Sequence, residues 1–369
     1  MDESTYKAEI TRLDREILKL FRERMAVSAA YVGENAMPRR DRAFERQCLA
    51  EAGAGDPETG IYARLLDANM IEYARAYQSE RALPLQDDLP RETRSVFPRA
   101  ATVACQGVEG AYSQAAADKV FPFADITYVP RFDGVFRAVE SGLCRFGVLP
   151  VENSSHGSVI QNYDLMRRHR FSIARAVKLH ISHNLMALPG ANLSDIRTII
   201  SHEQAIGQCS EFLSTLKDVQ VKVCENTAMA AKLVSNGGDR TVAAISQESC
   251  AELYGLSILK TRIQNTDNNY TRFIIIEKNQ VVYPGSSKIS VLFSTPHMPG
   301  ALERVMARFS CLGLNLTKLE SRPEAGSDFH YVFYVDLEAS IEDEDVRRLL
   351  LYMKRDLPMC TLLGAYQEV

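Results

Sequence analysis

The chain has 369 residues, enough for about two and a half domains at roughly 150 residues each. Its 46% hydrophobic and 24% charged content is that of a globular protein, and 20 Gly with 14 Pro is too little for a low-complexity chain. A net charge of −4, from 43 basic against 47 acidic residues with no Trp and no basic stripe, argues against a nucleic-acid partner.

The N-terminus, MDESTYKAEI, is acidic and polar, so no secretion signal is expected there. Ile10, Leu13, Ile17 and Leu20 recur at helical spacing, and the stripe runs on to Arg24. Pro38 breaks this helix. Further helices are expected around Arg42 to Leu49 and from about Ile61 to Arg81, which makes residues 1–82 an all-helical domain. Residues 83–100, with Pro84, Pro90 and Pro98 among charged side chains, read as a linker. From Ala101 short β-type runs (Ala101–Cys105, Arg145–Pro150, Ile196–Ile200, Val219–Cys224, Thr241–Ile245) alternate with helical stretches, which predicts an α/β domain with a largely parallel sheet over 101–280. Over 286–369 the order is strand, helix, strand, Gly-Ser turn, strand, helix, strand, the βαββαβ ferredoxin-like unit. Apolar runs such as Phe273 to Ile276 are far below the roughly 18 residues that cross a bilayer, so no membrane is expected. The eight cysteines are scattered without a CxxC pair or zinc-ligand spacing, which points to a reducing, cytoplasmic setting and to no metal.

Polar side chains gather where the middle domain's strands end. Glu109-Gly110-Ala111-Tyr112-Ser113 opens a helix, suiting a carboxylate or simply forming a Ser-capped turn. The run from Gly147 to Val159, carrying Glu152, Asn153, Ser154 and Ser158, leaves a strand end, where open α/β sheets bind ligands. Ser201 to Cys209 (with Gln208) and Cys224-Glu225-Asn226-Thr227 repeat the pattern. Asn268 to Phe273 sets Thr271 beside Arg272, which either pairs with a substrate carboxylate or braces the cleft by a structural ion pair. Together these loops describe a cleft for a small acidic molecule, and no nucleotide or metal motif accompanies them.

The EGAYS turn, GVLPVENSSHGSV, SHEQAIGQC, CENTA and NNYTRF resemble the successive motifs of prephenate dehydratase. Gly300-Ala301-Leu302 and Glu320-Ser321-Arg322-Pro323 resemble the phenylalanine-binding motifs of an ACT regulatory domain, and the N-terminal helices resemble an all-helical chorismate mutase. This is the arrangement of the bifunctional chorismate mutase–prephenate dehydratase family. The resemblance implies a two-lobed, periplasmic-binding-protein-like catalytic domain that needs no cofactor and converts prephenate to phenylpyruvate, CO2 and water. It implies Thr271 as general acid, Asn153, Ser201 and Gln208 as substrate holders, and Glu152 and Glu225 ordering the cleft. Tyr112, Ser113, Ser154, Ser158, Thr227, Arg272 and Phe273 complete the expected binding surface. Ala111 and Asn226 depart from the family's usual residues. For the mutase, Arg24, Asp41, Glu45 and Gln78 match polar site positions and Lys7 stands where Arg is common. The family's lysine is missing from Val32 to Met37, and Ala74 replaces a hydroxyl residue. The helical domain therefore either rearranges chorismate or serves only dimerisation. Arogenate is an alternative substrate, and a non-catalytic solute-binding module is the alternative class. Phenylalanine is expected to inhibit across a dimer interface, in a homodimer or homotetramer.

Overall fold

The computed structural model describes residues 1–30, 41–54, 57–82, 85–324 and 330–369. They form two compact units, Met1–Asp87 and Asp88–Val369. The expected break at Pro38, the stretch from Val32 to Met37, Pro84 and the Gly-Ser turn lie outside the described residues.

The first unit contains α1 (Glu3–Ala30), α2 (Arg42–Ala52) and α3 (Gly60–Ala82). α1 buries no residue: Ile10, Leu13, Ile17 and Leu20 are 40%, 39%, 50% and 64% exposed. The stripe that an amphipathic helix should turn inward therefore stays exposed among the described residues. α1 meets α3 through the edge-on rings of Phe21 and Tyr73 and two hydrogen bonds, Arg24 to the Met70 carbonyl (2.8 Å) and Gln78 to the Ser28 carbonyl (2.7 Å).

The second unit starts with a first lobe of β1 (Ala100–Gln106), α4 (Tyr112–Val120), β2 (Phe123–Val129), α5 (Phe132–Glu140), β3 (Phe146–Asn153), β4 (Gly157–Ser158), α6 (Ile160–Met166) and β5 (Ser172–His180). The chain then crosses to a second lobe made of β6 (Asn184–Ala187), β7 (Thr198–Ser201), α7 (Glu203–Gln208), α8 (Ser210–Ser214), β8 (Gln220–Val223), α9 (Thr227–Gly237), β9 (Val242–Ser246), α10 (Ser249–Leu253) and β10 (Ser257–Lys260). It returns through β11 (Tyr270–Glu277). β1 pairs in parallel with β2 and β3, but β11 runs antiparallel to both β3 and β5, and β6 and β10 are antiparallel in the other lobe. Each sheet is thus mixed rather than largely parallel, because a chain that leaves one lobe and re-enters it must bring a strand back against the first strands' direction. The segments joining the lobes pair with each other, Ile181 N–H to the Asn269 carbonyl (2.7 Å) and Ile263 N–H to the His183 carbonyl (2.9 Å).

The C-terminal part contains β12 (Lys288–Ser294), α11 (Ala301–Cys311), β13 (Asn315–Pro323), β14 (Tyr331–Glu338), α12 (Glu344–Asp356) and β15 (Met359–Glu368), in sheet order β13-β14-β12-β15. α11 and α12 pack on Ile289, Val291 and Phe293 of one face, while Leu292, Val332 and Tyr334 of the other face join the first lobe's core around Tyr163 and Leu165. The last residues of β15 pair in parallel with β5, so this sheet and the first lobe's are continuous. The close approach needs Gly364, since a Cβ there would strike the Ile173 backbone. Residues of the proline-rich stretch are also anchored: Arg347 of α12 donates to the Leu89 and Pro90 carbonyls, Glu92 accepts from Ser286, and Phe97 is buried against Phe121, Phe146 and Tyr283.

Glu277 closes β11 in this core. Burial pushes its carboxyl up to about 7, against the opposing pull of Arg145 and Tyr283. The folded state holds a proton that the unfolded chain, near the ordinary 4.5, has released. Stability therefore falls as pH rises through that window. Glu277→Gln is expected to stabilise the protein by roughly 2–3 kcal/mol at pH 8, shrinking toward zero near pH 4, as read by denaturation at both pH values.

Candidate active site

A cleft of about 750 Å³ lies between the lobes. After β1 the chain turns through Gly107 and Gly110, both at positive φ, into α4. A Cβ on Gly110 would lie 2.9 Å from Cys250 Sγ, so only glycine lets this turn sit against the second lobe. That packing presents Tyr112 and Ser113 to the cleft. The second lobe supplies Gln208 at the end of α7 and Glu225, Asn226 and Thr227 at the start of α9, where the Asn226 side chain caps Met229 N–H (2.8 Å). Asn153 from β3 with Thr271 and Phe273 from β11 complete the wall.

A chain of amides runs through these residues. Asn153 Nδ2 donates to Thr271 Oγ1 (2.9 Å) and to Asn269 Oδ1 (2.8 Å), and Asn269 Nδ2 donates to Gln208 Oε1 (2.9 Å). That oxygen also lies 2.7 Å from His183 Nε2, while Gln208 Nε2 donates to His156 Nδ1 (3.0 Å). Burial lowers the His183 pKa against the raising effect of Gln208, so the ring is neutral and donates through Nε2. Its Nδ1 is then a lone pair buried without a partner. His202 is likewise lowered by burial, and its Nδ1 accepts from Gln204 N–H. Among the described lining residues the charged side chains are Arg131 and Glu225. Among the described residues no cluster of three His, Cys, Asp or Glu side chains could hold a metal. No described helix is long and apolar enough to cross a membrane.

Eight expected residues thus meet in one place: Tyr112, Ser113, Asn153, Gln208, Glu225, Thr227, Thr271 and Phe273. The Tyr112 hydroxyl is taken by the Ser182 carbonyl (2.8 Å), leaving its ring as wall. Other expected residues lie elsewhere. Ser201 is fully buried and donates to the Ile245 carbonyl (2.7 Å), and Ser154 pins its own loop to Asn268 and Tyr270. Glu152, Ser158 and Arg272 face away from the cleft, because side chains alternate along a strand and Asn153 and Thr271 take the cleft side. They meet the C-terminal sheet instead. Lys318 reaches Glu152 and Ser158, and Arg272 pairs with Asp336 and Glu368. Of the two readings of Arg272, the structural ion pair is the one observed.

The expected phenylalanine-site residues divide in the same way. Gly300 caps α11 in the left-handed region, ahead of Ala301 and Leu302. Ser321 and Pro323 are exposed, whereas Glu320 accepts from Ser158 (2.6 Å) and Arg322 forks onto Asp164 (3.1 Å twice). In the helical unit Arg24 and Gln78 serve the α1–α3 seam described above, and Asp41 caps α2 through Ala43 and Phe44 N–H, with Glu45 one turn on. Lys7 pairs with Glu3, about 25 Å along α1 from Arg24. Sequence reasoning missed Asn269, His183, His156, His202 and Arg131. Asn269, His156 and His202 stand inside the motifs given above, whereas His183 lies between Ser182 and Asn184, outside all of them.

A family model described as prephenate dehydratase matches residues 103–281. An Arabidopsis thaliana protein, arogenate dehydratase/prephenate dehydratase 2, is 39% identical over 276 residues, 72% of either chain. The chain belongs to the prephenate dehydratase family. Among solved structures, the Arthrobacter aurescens prephenate dehydratase in complex with L-Phe is 28% identical with a TM-score of 0.66, covering 72% of this chain and 89% of that one. A structure described as GqqA, a novel type of quorum quenching acylases, is also 28% identical, with a TM-score of 0.67 over 73% of this chain and 98% of that one. The fold of the chain is accordingly the two-lobed, periplasmic-binding-protein-like one. The cytoplasmic setting expected from the cysteines is overturned, since the matching Arabidopsis relatives are chloroplastic. Cysteine usage reports only a reducing environment, which does not single out the cytoplasm.

Proposed function

We propose that this dehydratase acts on prephenate in the cleft, with Thr271 as the acid for the departing ring hydroxyl. The ring carboxylate leaves as CO2, its bonding pair enters the ring, and the C–O bond breaks as the hydroxide takes a proton, which leaves phenylpyruvate and water. The observation that carries this reading is the polarity of Thr271: its oxygen accepts from Asn153, so its own proton is free to turn to the cleft. Arg131 supplies the positive charge for a substrate carboxylate. Arg131→Gln is expected to raise KM about tenfold with a smaller change in kcat, as steady-state kinetics would read. Phenylpyruvate formation from prephenate by the purified chain tests the reaction, and its absence in folded protein rejects it. Arogenate is the second reading, supported by the Glu225 carboxylate at the cleft wall, which suits an ammonium group, and by relatives named arogenate dehydratase. The ratio of kcat/KM for the two substrates decides between them.

We further infer that the C-terminal part is an ACT-type regulatory domain through which phenylalanine inhibits. Its βαββαβ order and the Gly300 turn support this, as does the L-Phe complex of the Arthrobacter relative. Titration calorimetry with phenylalanine tests it, and no binding rejects it. For the helical unit we propose pairing with a second copy through the exposed stripe of α1, giving at least a homodimer. Arg24, Gln78 and Asp41 already serve the unit's own backbone, which favours a pairing role over chorismate mutase chemistry. Light-scattering mass and chorismate consumption on one preparation check both parts.

A further inference from the structure

We propose that Lys318, on the C-terminal sheet, is a positioning residue for the dehydratase site. The inference rests on the reading of Thr271 and Asn153 above. β3 and β4 form a hairpin in which Glu152 lies opposite Ser158, and Asn153 lies opposite Gly157. One face of the hairpin carries Asn153 to Thr271 across the cleft wall. On the other face one ammonium group reaches both arms. Lys318 Nζ donates to Glu152 Oε1 at 2.8 Å and to Ser158 Oγ at 2.6 Å, and it lies 3.7 Å from Glu320 Oε2. Ser158 Oγ in turn donates to that same Glu320 oxygen at 2.6 Å.

The lysine side chain is only 11% exposed, and its ammonium lies 5.9 Å from the centre of the Tyr163 ring. A charge so placed needs its donors satisfied: Glu152 and Ser158 each accept one N–H, and the Glu320 carboxylate adds an opposite charge nearby at 3.7 Å. Both arms of the hairpin are therefore tied to one point on a neighbouring domain, immediately behind the residue that orients the acid. Asn153 also accepts from Ser155 and His156 N–H (3.0 and 3.1 Å), so its amide turns only if the hairpin turns. A shift of about an ångström at the reacting groups can cost a hundredfold in rate without weakening substrate binding. Lys318 touches neither the cleft nor the reacting atoms, so its influence passes through Glu152 and Asn153. It also links the expected regulatory strand to the catalytic loop by bonds that a ligand at Glu320 would have to compete with.

The test is steady-state kinetics on the full chain with prephenate, comparing Lys318→Met, Lys318→Arg, Glu152→Gln and the Lys318→Met/Glu152→Gln double variant, with Thr271→Ala alongside. The expected result is a fall in kcat of tenfold or more for Lys318→Met with KM within twofold. Lys318→Arg recovers part of the loss, and the double variant is no worse than the poorer single one. Should Lys318→Met fail to fold, Glu152→Gln and Ser158→Ala carry the same test, since both keep the lysine. Unchanged kcat in folded Lys318→Met, or losses that multiply in the double variant, overturn the proposal while leaving Thr271 in place. Unchanged turnover in Thr271→Ala as well overturns the reading of the site and the proposal with it.

Discussion

Thr271→Ala should lower kcat by about a hundred- to a thousandfold while KM and the folded state stay close to the parent's. The hydroxyl is weakly acidic alone, and its usefulness comes from its surroundings. Asn153 fills its acceptor position at 2.9 Å, and Asn153 is itself held through Asn269 and Gln208 to the neutral His183. Each amide is fixed by at least one further bond, so the donor direction needs no reorganisation as the leaving hydroxide develops charge. Alanine removes the proton donor, while Asn153 keeps its bond to Asn269. Thr271→Ser keeps both functions and should retain most of the rate. A Thr271→Ala enzyme with kcat within threefold of the parent would remove Thr271 from the chemistry and make Gln208 and His183 the groups to test next.

Much of this site was legible because its chemistry sits at strand ends. Polar motifs after β1, β3, β7 and β8 and before β11 could be read as loops of one cleft, and Asn153, Gln208, Glu225 and Thr271 do meet there. What alternation along the strands implied was harder to use. In Thr271-Arg272-Phe273 the middle residue must point the other way, but a sequence does not say which face is the cleft, nor that another domain covers the opposite one. Spacing therefore leaves Arg272 open between a substrate partner and a structural brace and sets Glu152 at the cleft, whereas both side chains belong to the interface behind it. Histidine 183 was invisible for a different reason: its role comes from where the two lobe-crossing segments meet, a contact between residues far apart in the chain. The extended register of β13 through Pro323 was similarly hidden, and it decides that Glu320 and Arg322 share a face while Ser321 and Pro323 take the other. On α1 the periodicity was plain, but its apolar stripe remains exposed among the described residues.

Arg272 offers the sharpest contrast between a residue that binds substrate and one that holds the protein together. Its side chain is 8% exposed and faces Asp336, Glu368 (2.7 Å) and the Tyr366 hydroxyl (2.8 Å), with Ser290 bonded to both Asp336 and Tyr366 (2.7 Å to the latter). Burial alone would weaken its charge, but Tyr366, Asp336 and Glu368 more than offset that and raise its pKa. Arg272→Met leaves Asp336 and Glu368 buried with a lost cation, and Lys178 and Lys288 compensate only at Glu368. Breaking such a pair from one side costs about 3–5 kcal/mol, so a marked fall in melting temperature is expected. Arg272→Lys should recover little, because one ammonium cannot meet two carboxylates and a hydroxyl in the fork geometry of a guanidinium. The folded fraction, however, should bind prephenate with KM within about twofold, since no atom of this side chain reaches the cleft. An arginine that paired with a substrate carboxylate would behave in the opposite way, losing affinity by tenfold or more at unchanged stability. Thermal unfolding and KM measured on the same variant therefore separate the two roles, and a raised KM with an unchanged melting temperature would return Arg272 to the substrate side.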